Sequence, residues 1–255
     1  MRQPPIDQSE IDARVKGHSD ELLNLWWAEQ GGATKDRDLS IISSAIPFQR
    51  DRVLRALDLC CGPGDAGREI RRNYPDARVD FVDRDPFLLA ICRDVNARAG
   101  LPGIYRQLDL NDDAWSEGLR ARDYDVVAVA NAIHWLSVPR AEAALGDLHR
   151  LLDDGGTIVF AEPASPEAPY APGFDDWKSR QPSRYEQGNW TVFWDRANSL
   201  LGYDHTELLG SRSDSRIGDG MTVRGWIGLV EASGFQTVDV LWRDADVVII
   251  AARKG

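Results

Sequence analysis

The sequence predicts an α/β fold: a three-layer sandwich built on a seven-stranded, mostly parallel sheet with an antiparallel strand in a C-terminal hairpin, plus a helical cap. Three observations predict it. Short apolar runs alternate with helix-like segments through the middle of the chain, the pattern of a parallel sheet covered on both faces. The last two runs are separated only by Arg243-Asp244-Ala245-Asp246, too short for a parallel crossover. Two long segments stand outside this rhythm.

In chain order, residues 1–50 form an N-terminal helical cap segment, where Leu22-Leu23-Asn24-Leu25-Trp26-Trp27 reads as an apolar helix followed by Gly31-Gly32. Residues 51–162 hold the central core of the sheet, with strands at 53–59, 78–82, 104–108, 125–130 and 157–161. Asp85-Pro86 opens one intervening helix with a capping side chain and a first-turn proline, and that helix continues to Gly100. Another runs from Val138-Pro139 through Leu151-Leu152 and stops at Gly155-Gly156. Residues 163–221 are a proline-punctuated insertion (Pro163, Pro166, Pro169, Pro172, Pro182) carrying Trp177, Trp190 and Trp194. A segment this long without strands predicts a lid, a binding cap or an oligomer contact, which makes a homodimer a candidate assembly. Residues 222–255 complete the core with a helix from Thr222 to Gly234 and hairpin strands at 237–242 and 247–252.

Composition narrows the function. Forty-one acidic residues against thirty basic ones give a formal charge of −11, which opposes a phosphate-rich or anionic membrane surface and argues against nucleic-acid substrates. Arg68, Arg71 and Arg72 cluster after the glycine-rich turn described below, but Glu69 interrupts them and no aromatic platform accompanies them, so they read as a solvated helix face. The three cysteines, Cys60, Cys61 and Cys92, provide neither a disulfide framework nor zinc-ligand spacing, so no metal is expected. The first residues carry no apolar leader and no stretch approaches the roughly 20 apolar residues of a membrane span; the expectation is a cytoplasmic protein with no membrane partner.

The segment that carries chemistry is Val53-Leu54-Arg55-Ala56-Leu57-Asp58-Leu59-Cys60-Cys61-Gly62-Pro63-Gly64-Asp65-Ala66-Gly67, an apolar strand running through a glycine-rich turn into a helix. Gly62 and Gly64 let the backbone turn sharply and approach a nucleotide or nucleoside lying across the strand ends. Taken alone, Gly62-x-Gly64-x-x-Gly67 also satisfies a dinucleotide fingerprint, which would make the chain an NAD(P)-dependent oxidoreductase with pyrophosphate at the following helix. That alternative leaves Asp58, a carboxylate on a strand that should be buried on both faces, and the reversed strand unexplained. Asp83 ends the second strand and can accept from ribose hydroxyls, while Asp109 ends the third and can meet an adenine amino group; either could instead merely cap a strand end or a helix start.

These residues resemble the class I S-adenosylmethionine-dependent methyltransferases, whose fold is Rossmann-like. The family's first motif runs acidic-x-Gly-x-Gly-x-Gly, and positions 58, 60, 62 and 64 give Asp, Cys, Gly and Gly. Cys60 stands where the family usually has its first glycine. Val82-Asp83 with Pro86, Leu108-Asp109-Leu110, Asn131-Ala132-Ile133-His134-Trp135, Gly155-Gly156 and Gly234-Phe235 resemble the later landmarks in order, over roughly residues 50–162 and 222–253. The resemblance implies S-adenosyl-L-methionine as cofactor and S-adenosyl-L-homocysteine as product. It implies that Asp58, Cys60 and the backbone at Gly62 and Gly64 hold the amino-acid end, Asp83 the ribose, and Asp109 with Leu110 the adenine. Asn131 would lie near the methionine portion, and Arg84, beside Asp83, is counted with the cofactor site.

Methyl transfer from a sulfonium is an in-line displacement that positioning can accelerate, and a general base matters only when the acceptor must lose a proton. His134, following the fourth strand, is the candidate base; a histidine that merely lines the pocket beside Trp135 would occupy the same place. Glu162, at the end of the fifth strand, could bind or deprotonate the acceptor, although strand-to-loop punctuation before Pro163 is the simpler reading. His18, His149 and His205 lack comparable placement, and His149 reads as solvated. Trp26, Trp27, Trp177, Trp190 and Trp194 could form an apolar acceptor pocket or simply glue the cap to the sheet. A small-molecule acceptor is expected, and a non-catalytic cofactor-binding role stays open.

Overall fold

The computed structural model describes residues 7–30, 32–119, 123–167, 173, 176, 190–202, 204–205, 215–244 and 246–255. Seven strands, β1 (Arg55–Leu59), β2 (Arg78–Asp83), β3 (Ile104–Gln107), β4 (Tyr124–Ala130), β5 (Leu152–Pro163), β6 (Thr237–Arg243) and β7 (Val247–Arg253), make one sheet in the order β3-β2-β1-β4-β5-β7-β6. Strands β1 to β5 pair in parallel, while β7 runs antiparallel to both β5 and β6 and is the one reversed strand. The helices described are α1 (Gln8–Val15), α2 (Ser19–Glu29), α3 (Ala33–Ser44), α4 (Asp65–Asn73), α5 (Pro86–Arg98), α6 (Val138–Leu151), α7 (Thr191–Leu201) and α8 (Val223–Ala232).

The layers follow from strand alternation, since successive side chains point to opposite faces. Leu57, Leu59, Val127, Val129, Ile158 and Phe160 pack under α6 and α8. Ala56, Val126, Ala128, Val159 and Ala161 pack under α3 and α4. Local chemistry sets the helix starts: the Asp85 carboxylate accepts from the backbone N–H groups of Phe87 and Leu88 with Pro86 in the first turn, and Thr222 Oγ1 accepts from Gly225 N at 3.1 Å.

Helix α5 is buried on two sides. Its Leu89 and Cys92 face the sheet layer, while Phe87, Leu88, Ala90 and Ile91 face a third apolar cluster made by α1, α2 and α7. Elements from the N-terminal segment and from the insertion after β5 thus meet on the same helix. Trp26 of α2 joins them, with ring centroids 4.9 Å from Trp190, 5.2 Å from Phe193 and 6.4 Å from Trp194. Their rings pack the two segments together. Trp177 and the proline positions 169, 172 and 182 lie outside the described residues.

The structure corrects three local expectations. Strand β5 begins at Leu152 and runs through Gly155-Gly156 rather than starting after them; Gly155 takes φ +74°, and the register against β4 shifts between Tyr124 and Val126. Arg71 is not solvated: it is 7% exposed and donates to the carbonyls of Ala77 and Pro102, tying α4 to the loops that flank β2 and β3. His149 is half-buried, its ring 5.1 Å from that of Phe235 in an edge contact. In both cases a polar side chain on a helix reaches loops distant in sequence.

Candidate active site

The carboxyl ends of β1, β2, β4 and β5 converge on one region, where open parallel sheets place their ligands. The turn after β1 holds Cys60 at φ +53°, Gly62 at +52° and Gly64 at +88°, and the residue after β4, Asn131, also sits at +56°. Two non-glycine residues in the left-handed region, at adjoining strand ends, mark stored backbone strain at about 1–3 kcal/mol each.

Two buried carboxylates hold this turn in place. Asp83 Oδ2 accepts from Gly62 N at 2.8 Å and its Oδ1 from Asp85 N at 2.9 Å, stapling the end of β2 to the glycine turn. Asp58 Oδ2 accepts from Gly67 N at 2.7 Å, in the first turns of α4. Gly67 is needed there because an added Cβ would stand 2.4 Å from Phe81 Cε1 on β2. Burial raises all the acids of this cluster: Asp58 is pushed up to about 8, Asp85 to about 7, and Asp83 above the usual carboxylate range. The Cys60 thiol is also pushed up by burial, so it stays neutral at physiological pH. Beside the turn, Lys35 of α3 is paired with Asp65, which Arg68 also contacts, and burial lowers the Lys35 ammonium below its ordinary range.

The raised Asp58 has a measurable consequence. In the unfolded chain an aspartate ionises near ~3.9, whereas the native carboxyl keeps its proton until about pH 8. Between those values the native state holds a proton that the unfolded chain has released, so stability falls as pH rises from about 4 to about 8. Asp85 adds a slope of the same sign up to about 7. Asp58→Asn, isosteric and uncharged, is expected to match the wild type near pH 5 and to exceed it at pH 8 by on the order of 3 kcal/mol. Urea melts at the two pH values provide the check, and an unchanged difference between wild type and variant would contradict the buried neutral carboxyl.

Asp109 stands apart from this cluster. Its side chain is 41% exposed, lies 3.6 Å from Arg84 Nη1, and accepts from Asn111 N at 2.9 Å. Arg84 thus bridges the ends of β2 and β3. Leu110 is buried at 5% and its carbonyl accepts from Arg140.

On the other side of the turn, Ile133–Trp135 form a single 3-10 turn after β4. Glu162 at the end of β5 is fully buried and organises it: Oε1 accepts from Ala132 N at 3.0 Å and Ile133 N at 2.7 Å, and Oε2 lies 2.7 Å from His134 Nδ1. With a carboxylate at that distance, Nδ1 carries the proton and Nε2 presents its lone pair. No hydrogen bond engages Nε2 among the described residues. Glu162 is therefore more than strand-to-loop punctuation. Its signal in the sequence was the same as that of Asp58, an acidic residue closing an apolar strand buried on both faces. Lys35 carried no comparable signal.

Among the described residues no group of three or more His, Cys, Asp or Glu side chains is placed to hold a metal, and no helix is long and apolar enough to cross a membrane.

Comparison with known proteins agrees with this geometry. Residues 56–156 match the family described as Methyltransferase domain. The chain is 32% identical over 124 residues to the ubiquinone/menaquinone biosynthesis C-methyltransferase UbiE of Methylobacterium nodulans, covering 48% of this chain and 47% of that protein. It is 27% identical over 164 residues to the reducing polyketide synthase Preu2 of Preussia isomera, covering 62% of this chain and only 7% of the synthase. The chain thus spans well under two thirds of the length of these relatives. Among solved structures, the CurJ carbon methyltransferase superposes with a TM-score of 0.62 at 17% identity, covering 97% of this chain and 61% of that one. With the seven-stranded order and the glycine turn after β1, residues 56–156 are the methyltransferase domain of a chain with the class I S-adenosylmethionine-dependent methyltransferase fold.

Proposed function

We propose that this chain methylates a small-molecule acceptor whose reacting oxygen or carbon must lose a proton, with His134 as the base. The observation that carries this reading is the buried His134–Glu162 pair, at 2.7 Å, on the strand-end turn that follows the strained Asn131. A base of this kind contributes about 10²–10⁴ in rate and is unnecessary for an acceptor that reacts without deprotonation. UbiE and CurJ, both named as carbon methyltransferases, support an acceptor of this class.

The residues present suit the cofactor. The left-handed backbone at Gly62 and Gly64 shapes the turn at the end of β1, and Asp83 stands at the end of β2 with both oxygens accepting from backbone N–H groups, each retaining a further lone pair. By the family likeness Asp58, Cys60 and the backbone at Gly62 and Gly64 hold the amino-acid end, Asp83 the ribose with Arg84 beside it, and Asp109 with Leu110 the adenine, while Asn131 lies near the methionine portion. When bound, S-adenosylmethionine supplies an electrophilic methyl group on a sulfonium.

The chain's own part is proton management and exclusion of water. Glu162 fixes the His134 tautomer, Nε2 takes the acceptor's proton, and the carboxylate at Oε2 stabilises the imidazolium that results. In this reading the described helices α1, α2 and α7, which pack together against α5, cover the acceptor and select it. The first test is a thermal-shift comparison followed by an acceptor screen read as S-adenosylhomocysteine formation. Stabilisation by S-adenosylhomocysteine and none by NADH or NADPH is the expected result, and the reverse ranking would overturn the reading.

A further inference from the structure

Three polar groups of the N-terminal helices have no task in methyl transfer, and two of them, Trp26 and Lys35, lie beside the glycine turn. The Trp26 ring lies against the turn: its Cζ2 is 3.1 Å, and its Cε2 3.6 Å, from where a Cβ on Gly62 would stand. Trp26 is 9% exposed, and its indole Nε1, bonded to Cε2, is buried without a hydrogen-bond partner among the described residues. Glu29 follows at i+3 on α2, a spacing that shares a helix face, and its Oε2 is likewise buried without a donor. Lys35, at the start of α3, is 8% exposed and lies with Nζ 5.5 Å from the Trp26 ring centroid. Lys35 also lines a cleft that reaches Ala130 and Asn131 at the end of β4.

An orphaned buried donor and an orphaned buried acceptor on one helix turn are each costly unless a ligand completes them. Together with a buried ammonium, they complement a zwitterion: a carboxylate for Trp26 Nε1 and Lys35, and an ammonium for Glu29. Asp58, to which the family likeness gave the amino-acid end, is instead 2% exposed and committed to Gly67 N. Resting on the methyltransferase reading, we propose that Trp26, Lys35 and Glu29 form the subsite for the amino-acid end of S-adenosylmethionine. The N-terminal helices then serve as part of the cofactor site as well as its cover.

The test is calorimetric titration of the full chain with S-adenosylhomocysteine and, separately, with 5′-methylthioadenosine, which keeps the adenosine and sulfur but lacks the amino-acid end. Lys35→Met is expected to raise the Kd for S-adenosylhomocysteine about tenfold or more, and Trp26→Phe and Glu29→Gln about fivefold each, with 5′-methylthioadenosine changed by less than about twofold. Trp26→Phe keeps the ring against Gly62 and removes only the N–H. Because Lys35 also neutralises Asp65, the double variant K35M/D65N is titrated alongside and is expected to show the same selective loss, while Lys35→Arg recovers most of the affinity. Variants that bind both ligands as the wild type does, or that lose both in equal proportion, overturn the subsite. A wild type that binds neither ligand overturns the methyltransferase reading itself.

Discussion

His134→Asn is expected to lower kcat by about 10²–10⁴ and to leave the Kd for S-adenosylhomocysteine within about twofold of the wild type. Asparagine can still donate to Glu162 from near the position of Nδ1, so the turn Ile133–Trp135 keeps its anchor and only Nε2 is removed. His134→Ala should lose as much turnover, and agreement between the two variants assigns the loss to Nε2 rather than to a collapsed turn. Glu162→Gln is a different experiment. Glu162 is fully buried and also accepts from Ala132 N and Ile133 N, so an amide in its place turns a donor toward donors and costs about 2–4 kcal/mol of stability. Its kinetic effect must therefore be read at a temperature where the variant is folded, as single-turnover rates beside a melt. An acceptor that His134→Asn methylates at the wild-type rate would reduce His134 to a wall of the pocket and would point to a nucleophile that needs no base.

The sheet was legible because its information is local. Apolar runs buried on both faces, Asp85-Pro86 at a helix start and a four-residue link before the last strand each act within a few residues, and the seven-stranded sheet with its single reversed strand follows from them. The glycine turn was legible for the same reason. What the sequence hid are pairings between distant segments. Glu162 and His134 meet only because β4 and β5 are neighbours, Trp26 reaches Gly62 only because α2 folds back over the turn, and Arg71 finds its carbonyls in two separate loops. Cys60 shows a subtler case. Its place in the motif was readable, yet its left-handed backbone follows from the turn geometry that the Cys61 N–H bond to Val82 O and the Asp83 staple impose.

That same geometry sets the second large effect. Gly64→Ala is expected to destabilise the protein by about 2–5 kcal/mol, a sum of the left-handed cost and of overpacking. Gly64 sits at φ +88°, and an added Cβ would stand 2.4 Å from Cys92 Sγ, 3.2 Å from Phe81 Cε1 and 3.3 Å from Arg68 Nη1. Cys92 and Phe81 are both fully buried, so neither can swing aside without moving α5 or β2. Gly62→Ala offers the internal comparison. Its φ of +52° matches that of Cys60, which a side chain already tolerates, and its new Cβ would meet only the Trp26 ring, at 3.1 Å. It should cost about 1 kcal/mol in stability. The cost of Gly67→Ala falls between the two, because the clash with Phe81 is offset by about 1 kcal/mol of helix propensity. For a chain of this length the Gly64 variant should melt about 10 °C below the wild type, and it should also lose S-adenosylhomocysteine binding, since moving Gly64 drags the backbone between Gly62 and the start of α4. Urea midpoints for the three variants in the order Gly64, Gly67, Gly62 are the expected result. A Gly64 variant as stable as the Gly62 variant would mean that the turn does not pack Gly64 against Cys92, and the backbone approach inferred for the cofactor would lose its support.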